Sequence, residues 1–168
     1  MLQTIDWQAR AKSAHFPNRP FIDGAYVDSL SGETFPCIYP GDGRLLIDVA
    51  SCNDADVDVA VKSAFNSGVW SRMAPADRRR ILLKFSELIL TNREELALLE
   101  TLNVGKPITN AYNGDAVSAA ACIAWYAEAI DKIYGEVAAT AHDMTTLVVR
   151  EPLGIVAAVV PWNYPMSM

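Results

Sequence analysis

The chain has 168 residues, 51% of them hydrophobic, and its 14 Lys and Arg against 20 Asp and Glu give a formal net charge of −6. That much apolar material supports a folded core and excludes a disordered chain. The acidic balance, with no basic run longer than Arg78-Arg79-Arg80, argues against nucleic acid as a partner.

Residues 1–20 form a lead in which Asp6, Arg10, Lys12, His15 and Arg19 alternate with apolar residues. It holds neither a signal-peptide core nor an Arg- and Ser-rich transit pattern, so a cytoplasmic location is expected. Phe21-Ile22-Asp23-Gly24-Ala25-Tyr26-Val27 predicts a hairpin, because Asp-Gly between β-formers suits a type I′ turn. After a turn at Ser31-Gly32, residues 34–39 and 45–50 predict two further strands about the turn Pro40-Gly41-Asp42-Gly43.

From Asn53 the period changes to that of a helix. Val57, Ala60, Val61, Ala64 and Phe65 make one apolar stripe, with Asn53 or Asp54 as its cap and Gly68 beyond its end. Pro75 stands at a first-turn position, and Ile81, Leu82, Phe85, Leu88 and Ile89 make a second stripe. Thr91-Asn92-Arg93-Glu94 fits a capping box, opening a helix that Gly105 and Pro107 close.

A longer helix is expected over residues 115–132, where Ala116, Ala119, Ala120, Ile123, Ala127 and Ile130 form a face of small residues suited to close packing. Residues 145–150 are β-branched, Glu151-Pro152 interrupts them, and Ile155-Val156-Ala157-Ala158-Val159-Val160 is apolar on both faces, as a central strand covered by helices must be. That run is far short of the roughly 18 to 20 residues that cross a bilayer, so no membrane is expected as a partner. The fold class expected is α/β, with hairpins and helices leading into the first strand of a parallel sheet.

The segments Phe21-Ile22-Asp23-Gly24, Pro40-Gly41-Asp42-Gly43, Leu99-Glu100-Thr101-Leu102-Asn103-Val104-Gly105-Lys106-Pro107, Arg150-Glu151-Pro152-Leu153-Gly154 and Pro161-Trp162-Asn163-Tyr164-Pro165 are similar, in order and spacing, to the aldehyde dehydrogenase superfamily. The wording of residues 97–102 and 125–136 most resembles the bacterial γ-glutamyl-γ-aminobutyraldehyde dehydrogenases of putrescine breakdown.

The resemblance implies the N-terminal part of that fold: a lead over 1–20, a hairpin and helical part of the cofactor domain over 21–144, an oligomerisation-arm strand over 145–152, and the first Rossmann-like strand with an active-site loop over 153–168. It implies NAD or NADP as cofactor, a small aldehyde as substrate and a homodimer or homotetramer as the assembly. In such an enzyme a cysteine thiolate attacks the aldehyde, an asparagine holds the oxyanion, hydride passes to the nicotinamide and a glutamate activates water. Of that set only the asparagine, Asn163, is present, so the chain by itself is expected to be inactive and, with an uncovered strand, poorly soluble. A non-enzymatic assembly module or an inactive truncated product is the alternative.

Asn163, on its own terms, reads as a turn asparagine bonding its own backbone; the family resemblance assigns its amide to the oxyanion instead. By the same resemblance Val160, Pro161, Trp162 and Asn163 lie at the cofactor, the first three lining its nicotinamide side, and Tyr164 and Met168 line a substrate tunnel with Gly114 and Ser118 on the facing helix. Cys122 sits among alanines with no basic neighbour and outside a Gly-Gln-x-Cys setting, which argues against a nucleophile. Cys37, Cys52 and Cys122 form no C-x-x-C pair, and His15 and His142 have no partner at ligand spacing, so no metal site is expected. Arg78 to Arg80 read as a solvated helix face. Asn103 stands where many family members have an aspartate that binds a monovalent cation with carbonyls such as those of Cys37 or Ile38, and its lost carboxylate counts against a cation here.

Overall fold

A computed structural model describes residues 5–168. The first four residues of the expected lead lie outside the described residues. A short helix, α1 (Trp7–Lys12), follows, capped by Asp6, whose carboxylate accepts from the Ala9 amide at 3.0 Å. The chain then makes two small antiparallel ribbons. In the first, β1 (Phe21–Ile22) pairs with β2 (Ala25–Tyr26) through Asp23 at φ 53° and Gly24 at φ 78°, the two left-handed residues that a type I′ turn requires. In the second, β3 (Thr34–Ile38) pairs with β4 (Leu45–Ala50), with a register shift between Cys37 and Ile38.

Helix α2 (Asp54–Ser67) starts at Asn53, which forms a capping box with Asp56. Asp56 does more than cap. It is buried, and its carboxylate accepts from the Leu30 amide at 2.7 Å, the Ser29 hydroxyl at 2.8 Å and the Asn53 amide at 2.9 Å. The Leu30 amide first, then that of Asn53, holds its pKa below the usual carboxylate range. Gly68 ends α2 in the left-handed region, and α3 (Val69–Arg72) is a single turn before α4 (Pro75–Thr91), with Pro75 in its first turn.

The capping box expected at Thr91 does not form. Thr91 is the last residue of α4 and its hydroxyl donates to the Glu87 carbonyl at 2.9 Å. Asn92 joins α4 directly to α5 (Arg93–Val104) without a side-chain cap, because its amide donates back to the Leu88 carbonyl at 2.8 Å. Gly105 closes α5 at φ 78°. A turn of helix, α6 (Ile108–Asn110), leads through a π-helical stretch at Ala111–Asp115 into α7 (Ala116–Ala129).

The core lies among α4, α5 and α7. It is built from Ile89, Ala97, Leu98, Leu102, Ala116, Ala119, Ala120 and Ala127, so the small-residue face of α7 packs as expected. Across the α4–α7 seam the buried Ser86 hydroxyl donates to the Ala120 carbonyl at 2.7 Å, and Arg79 forks onto Glu128 at 3.1 and 2.6 Å. The Arg78–Arg80 run is therefore not a plain solvated face: Arg79 is spent on a tertiary ion pair, and the Nε of Arg78 is buried.

Beyond α7, β5 (Glu136–Ala138) and β6 (Thr146–Val148) form an antiparallel ribbon. Residues 153–160, expected as a buried strand, pair with no other strand among the described residues, and Leu153 and Val159 are 95% and 99% exposed. A strand needs a neighbour for its backbone groups, and no described strand pairs with this segment. Among the described residues no helix is long and apolar enough to cross a membrane.

Candidate active-site loop

The end of α5 sets up the site. Gly105 approaches the β3–β4 turn so closely that a Cβ there would meet the Pro40 Cγ at 2.7 Å, which seats the Gly-Lys-Pro corner against Pro-Gly-Asp-Gly. The next side chain, Lys106, turns inward. Its Nζ donates to Glu100 Oε1 at 2.8 Å and to Asp115 Oδ2 at 2.5 Å, and the three side chains are only 13%, 1% and 12% exposed. The π-helical stretch brings Asp115 there: its wider turn places a buried carboxylate beside an exposed Gly114.

One ammonium thus serves two carboxylates. Burial raises the pKa of Glu100, Lys106 opposes that, and the nearby Asp115 adds to it, leaving Glu100 above the ordinary range. Burial pulls Lys106 down, but the bonds to Asp115 and Glu100 outweigh it and keep the ammonium charged. The same Nζ lies 3.9 Å from the centroid of the Tyr164 ring, a cation–π contact.

Tyr164 belongs to the loop that closes the chain. Its carbonyl accepts from the Ser167 and Met168 amides at 3.1 and 3.2 Å, making a compact turn over residues 162–167. Asn163 is exposed within it, and among the described residues its side-chain amide makes no hydrogen bond. Its aromatic neighbours do not shield it, with Trp162 84% and Tyr164 44% exposed.

Val160, Pro161 and Trp162 form an exposed, mostly apolar strip leading into the loop. Gly114 and Ser118 stand one helical turn apart on an exposed face, and a Cβ at Gly114 would meet nothing within 4 Å. Asp115, which follows Gly114, is joined through Lys106 to Tyr164, and Met168 is 66% exposed.

Asn103 turns its amide to the Cys37 sulfur at 3.0 Å. No group of three or more His, Cys, Asp or Glu that could hold a metal occurs among the described residues. Cys122 is exposed on α7, and His15 and His142 are exposed.

Sequence reasoning missed two clusters. One is the Lys106 triad; the other clasps α1 to α5, where Arg93 donates to the Tyr112 hydroxyl at 2.5 Å and lies over its ring, Trp7 meets that ring edge-on and Arg10 pairs with Glu94 at 2.6 Å. Glu100 and Asp115 lie in helical stretches and Lys106 in the corner between them, and nothing in their spacing marked them as partners.

The profile of the aldehyde dehydrogenase family matches residues 26–168. The NADP/NAD-dependent aldehyde dehydrogenase PuuC of Escherichia coli is 45% identical over 165 residues, covering 96% of this chain and 33% of that protein. The crystal structure of γ-glutamyl-γ-aminobutyraldehyde dehydrogenase from Burkholderia cenocepacia superposes with a TM-score of 0.92 at 49% identity, covering 96% of this chain and 34% of that one. Indole-3-acetaldehyde dehydrogenase AldA of P. syringae, in complex with NAD+ and IAA, superposes with a TM-score of 0.93 at 54% identity, covering 97% and 34%. The chain spans about a third of the length of the curated relatives it matches.

Proposed function

Because the chain belongs to the aldehyde dehydrogenase family, we propose that the protein carrying it oxidises an amino-aldehyde, foremost γ-glutamyl-γ-aminobutyraldehyde, to the carboxylic acid with NAD or NADP. The observation that carries the reading is the unspent amide of Asn163, held in a tight turn where the apolar segment 153–160 ends. A carboxamide with no internal partner is free to donate to a carbonyl oxygen as that oxygen gains negative charge.

Val160, Pro161 and Trp162 offer an apolar wall beside that amide, suited to one face of a nicotinamide ring. The cofactor, when bound, accepts the hydride. The tunnel reading gives Tyr164 and Met168 one side and Gly114 and Ser118 the other. The open space at Gly114 suits an aldehyde with a long polar tail. Support for the γ-glutamyl substrate comes from the Burkholderia relative at 49% identity. A bulky aromatic tail is the competing class, on the P. syringae relative at 54%.

The β5–β6 ribbon is proposed as the oligomerisation arm. It exposes Val137 at 72%, Leu147 at 65% and Val149 just beyond it at 75%, an apolar ribbon face that a second copy would cover.

The test is a panel of specificity constants for the intact enzyme. We expect γ-glutamyl-γ-aminobutyraldehyde to exceed both acetaldehyde and indole-3-acetaldehyde. Equal constants across the panel, or a preference for the indole aldehyde, would contradict the substrate assignment.

A further inference from the structure

Among the described residues, the hydrogen bonds of the 161–168 loop are internal, and its polar link to the helical body is the contact of Lys106 with the Tyr164 ring. Lys106 is itself fixed from three directions. Gly105 is pressed against Pro40, and Glu100 and Asp115 take two of the three ammonium donors at 2.8 and 2.5 Å. The remaining direction of the charge faces the ring. An aromatic face attracts a cation most strongly where water is scarce, and the Lys106 side chain is only 13% exposed.

We propose that Lys106 is a positioning residue: fixed by Glu100 and Asp115, its ammonium holds the Tyr164 ring and thereby aims the adjoining Asn163 amide. The proposal rests on the oxyanion reading of Asn163. The link is short, because Tyr164 follows Asn163 directly and its carbonyl anchors the turn by accepting from the Ser167 and Met168 amides. Without Lys106 the turn that carries Asn163 loses its polar anchor on the helical body. Oxyanion donors work within a narrow range of position, so the loss appears in the chemical step. This also gives the π-helical stretch a task, since it delivers the Asp115 carboxylate that completes the grip on Lys106.

The experiment is a double-mutant cycle in the intact enzyme, with Lys106→Met and Tyr164→Leu read by single-turnover hydride transfer and by KM for aldehyde and cofactor. Lys106→Met alone leaves two buried carboxylates without a counter-charge. The cycle is therefore repeated with the neutral triple variant E100Q/K106M/D115N, which removes the triad's charges together. We expect a fall in kcat on the order of 10- to 100-fold for folded Lys106→Met and for the triple variant, with cofactor KM unchanged. In the Tyr164→Leu background the same changes should cost no more than about twofold. Wild-type kcat in the folded triple variant, or an undiminished loss in the Tyr164→Leu background, overturns the proposal. Asn163→Ala is measured alongside: a slow Asn163→Ala with a normal triple variant defeats the positioning role alone, whereas a fast Asn163→Ala defeats the oxyanion reading beneath it.

Discussion

Glu100 Oε1 accepts a 2.8 Å bond from Lys106, while its other carboxyl oxygen, Oε2, is buried without a partner. Burial chiefly, with Asp115 beside it, holds the Glu100 pKa above its ordinary 4.5 against the pull of Lys106. A raised carboxyl pKa means that the folded chain binds more protons than the unfolded one between those two values. Stability therefore falls as pH rises from 4.5 through the folded pKa. Glu100→Gln removes that slope, and denaturant melts from pH 4 to neutrality should show the variant gaining on the wild type as pH rises. Lys106→Met should cost about 3–5 kcal/mol at neutral pH, because it strands both carboxylates. Parallel pH profiles for wild type and Glu100→Gln would contradict this account.

Gly105 and Gly114 should respond oppositely to alanine. At Gly105 a Cβ would meet Pro40 Cγ at 2.7 Å, on a backbone at φ 78°. We expect Gly105→Ala to destabilise by about 1–3 kcal/mol. At Gly114 a Cβ meets nothing within 4 Å, and Gly114→Ala should be neutral or stabilising by up to about 1 kcal/mol. Thermal melts of the two variants decide it, and equal losses would refute the close approach at Pro40.

Much of the fold was legible where the decisive physics is local. Asp23-Gly24 specifies its turn because both residues take positive φ, and Asn53, Gly68, Pro75 and Gly105 mark helix ends by capping or backbone freedom. The motif resemblance and the α/β fold it implied are borne out by superposition at TM-scores above 0.9 over nearly the whole chain. The Thr91 box misled because a local pattern cannot tell that α4 continues through Thr91 and leaves Asn92 bonded backward.

Apolar stripes showed which face seeks cover, not what covers it. Val57, Val61 and Phe65 on α2 and Ile81, Phe85 and Leu88 on α4 are all more than 40% exposed, and residues 153–160 lack a strand neighbour among the described residues. The Lys106 triad was illegible for a different reason. It joins a helix end, a π-helical stretch and the loop over residues 161–168, and only tertiary structure brings Glu100, Asp115 and Tyr164 to one ammonium.

Substrate choice should answer to Gly114. Gly114→Phe fills open space on an exposed helical face, so the fold should persist by circular dichroism. If that face lines the tunnel, KM for γ-glutamyl-γ-aminobutyraldehyde should rise by about 10-fold or more while acetaldehyde is little affected, as expected for a steric exclusion worth 1–3 kcal/mol. Equal changes for both aldehydes would remove Gly114 from the tunnel.

The most direct measurement of the central claim is single-turnover hydride transfer by Asn163→Ala in the intact enzyme. The amide of Asn163 is exposed and without an internal partner, so its removal should leave the fold and cofactor affinity unchanged. Its hydrogen bond strengthens only as charge builds on the substrate oxygen, and its loss should lower kcat on the order of 10²- to 10³-fold, about 3–4 kcal/mol in the transition state. A folded Asn163→Ala enzyme that transfers hydride at near the wild-type rate would contradict the oxyanion role on which the proposed mechanism stands.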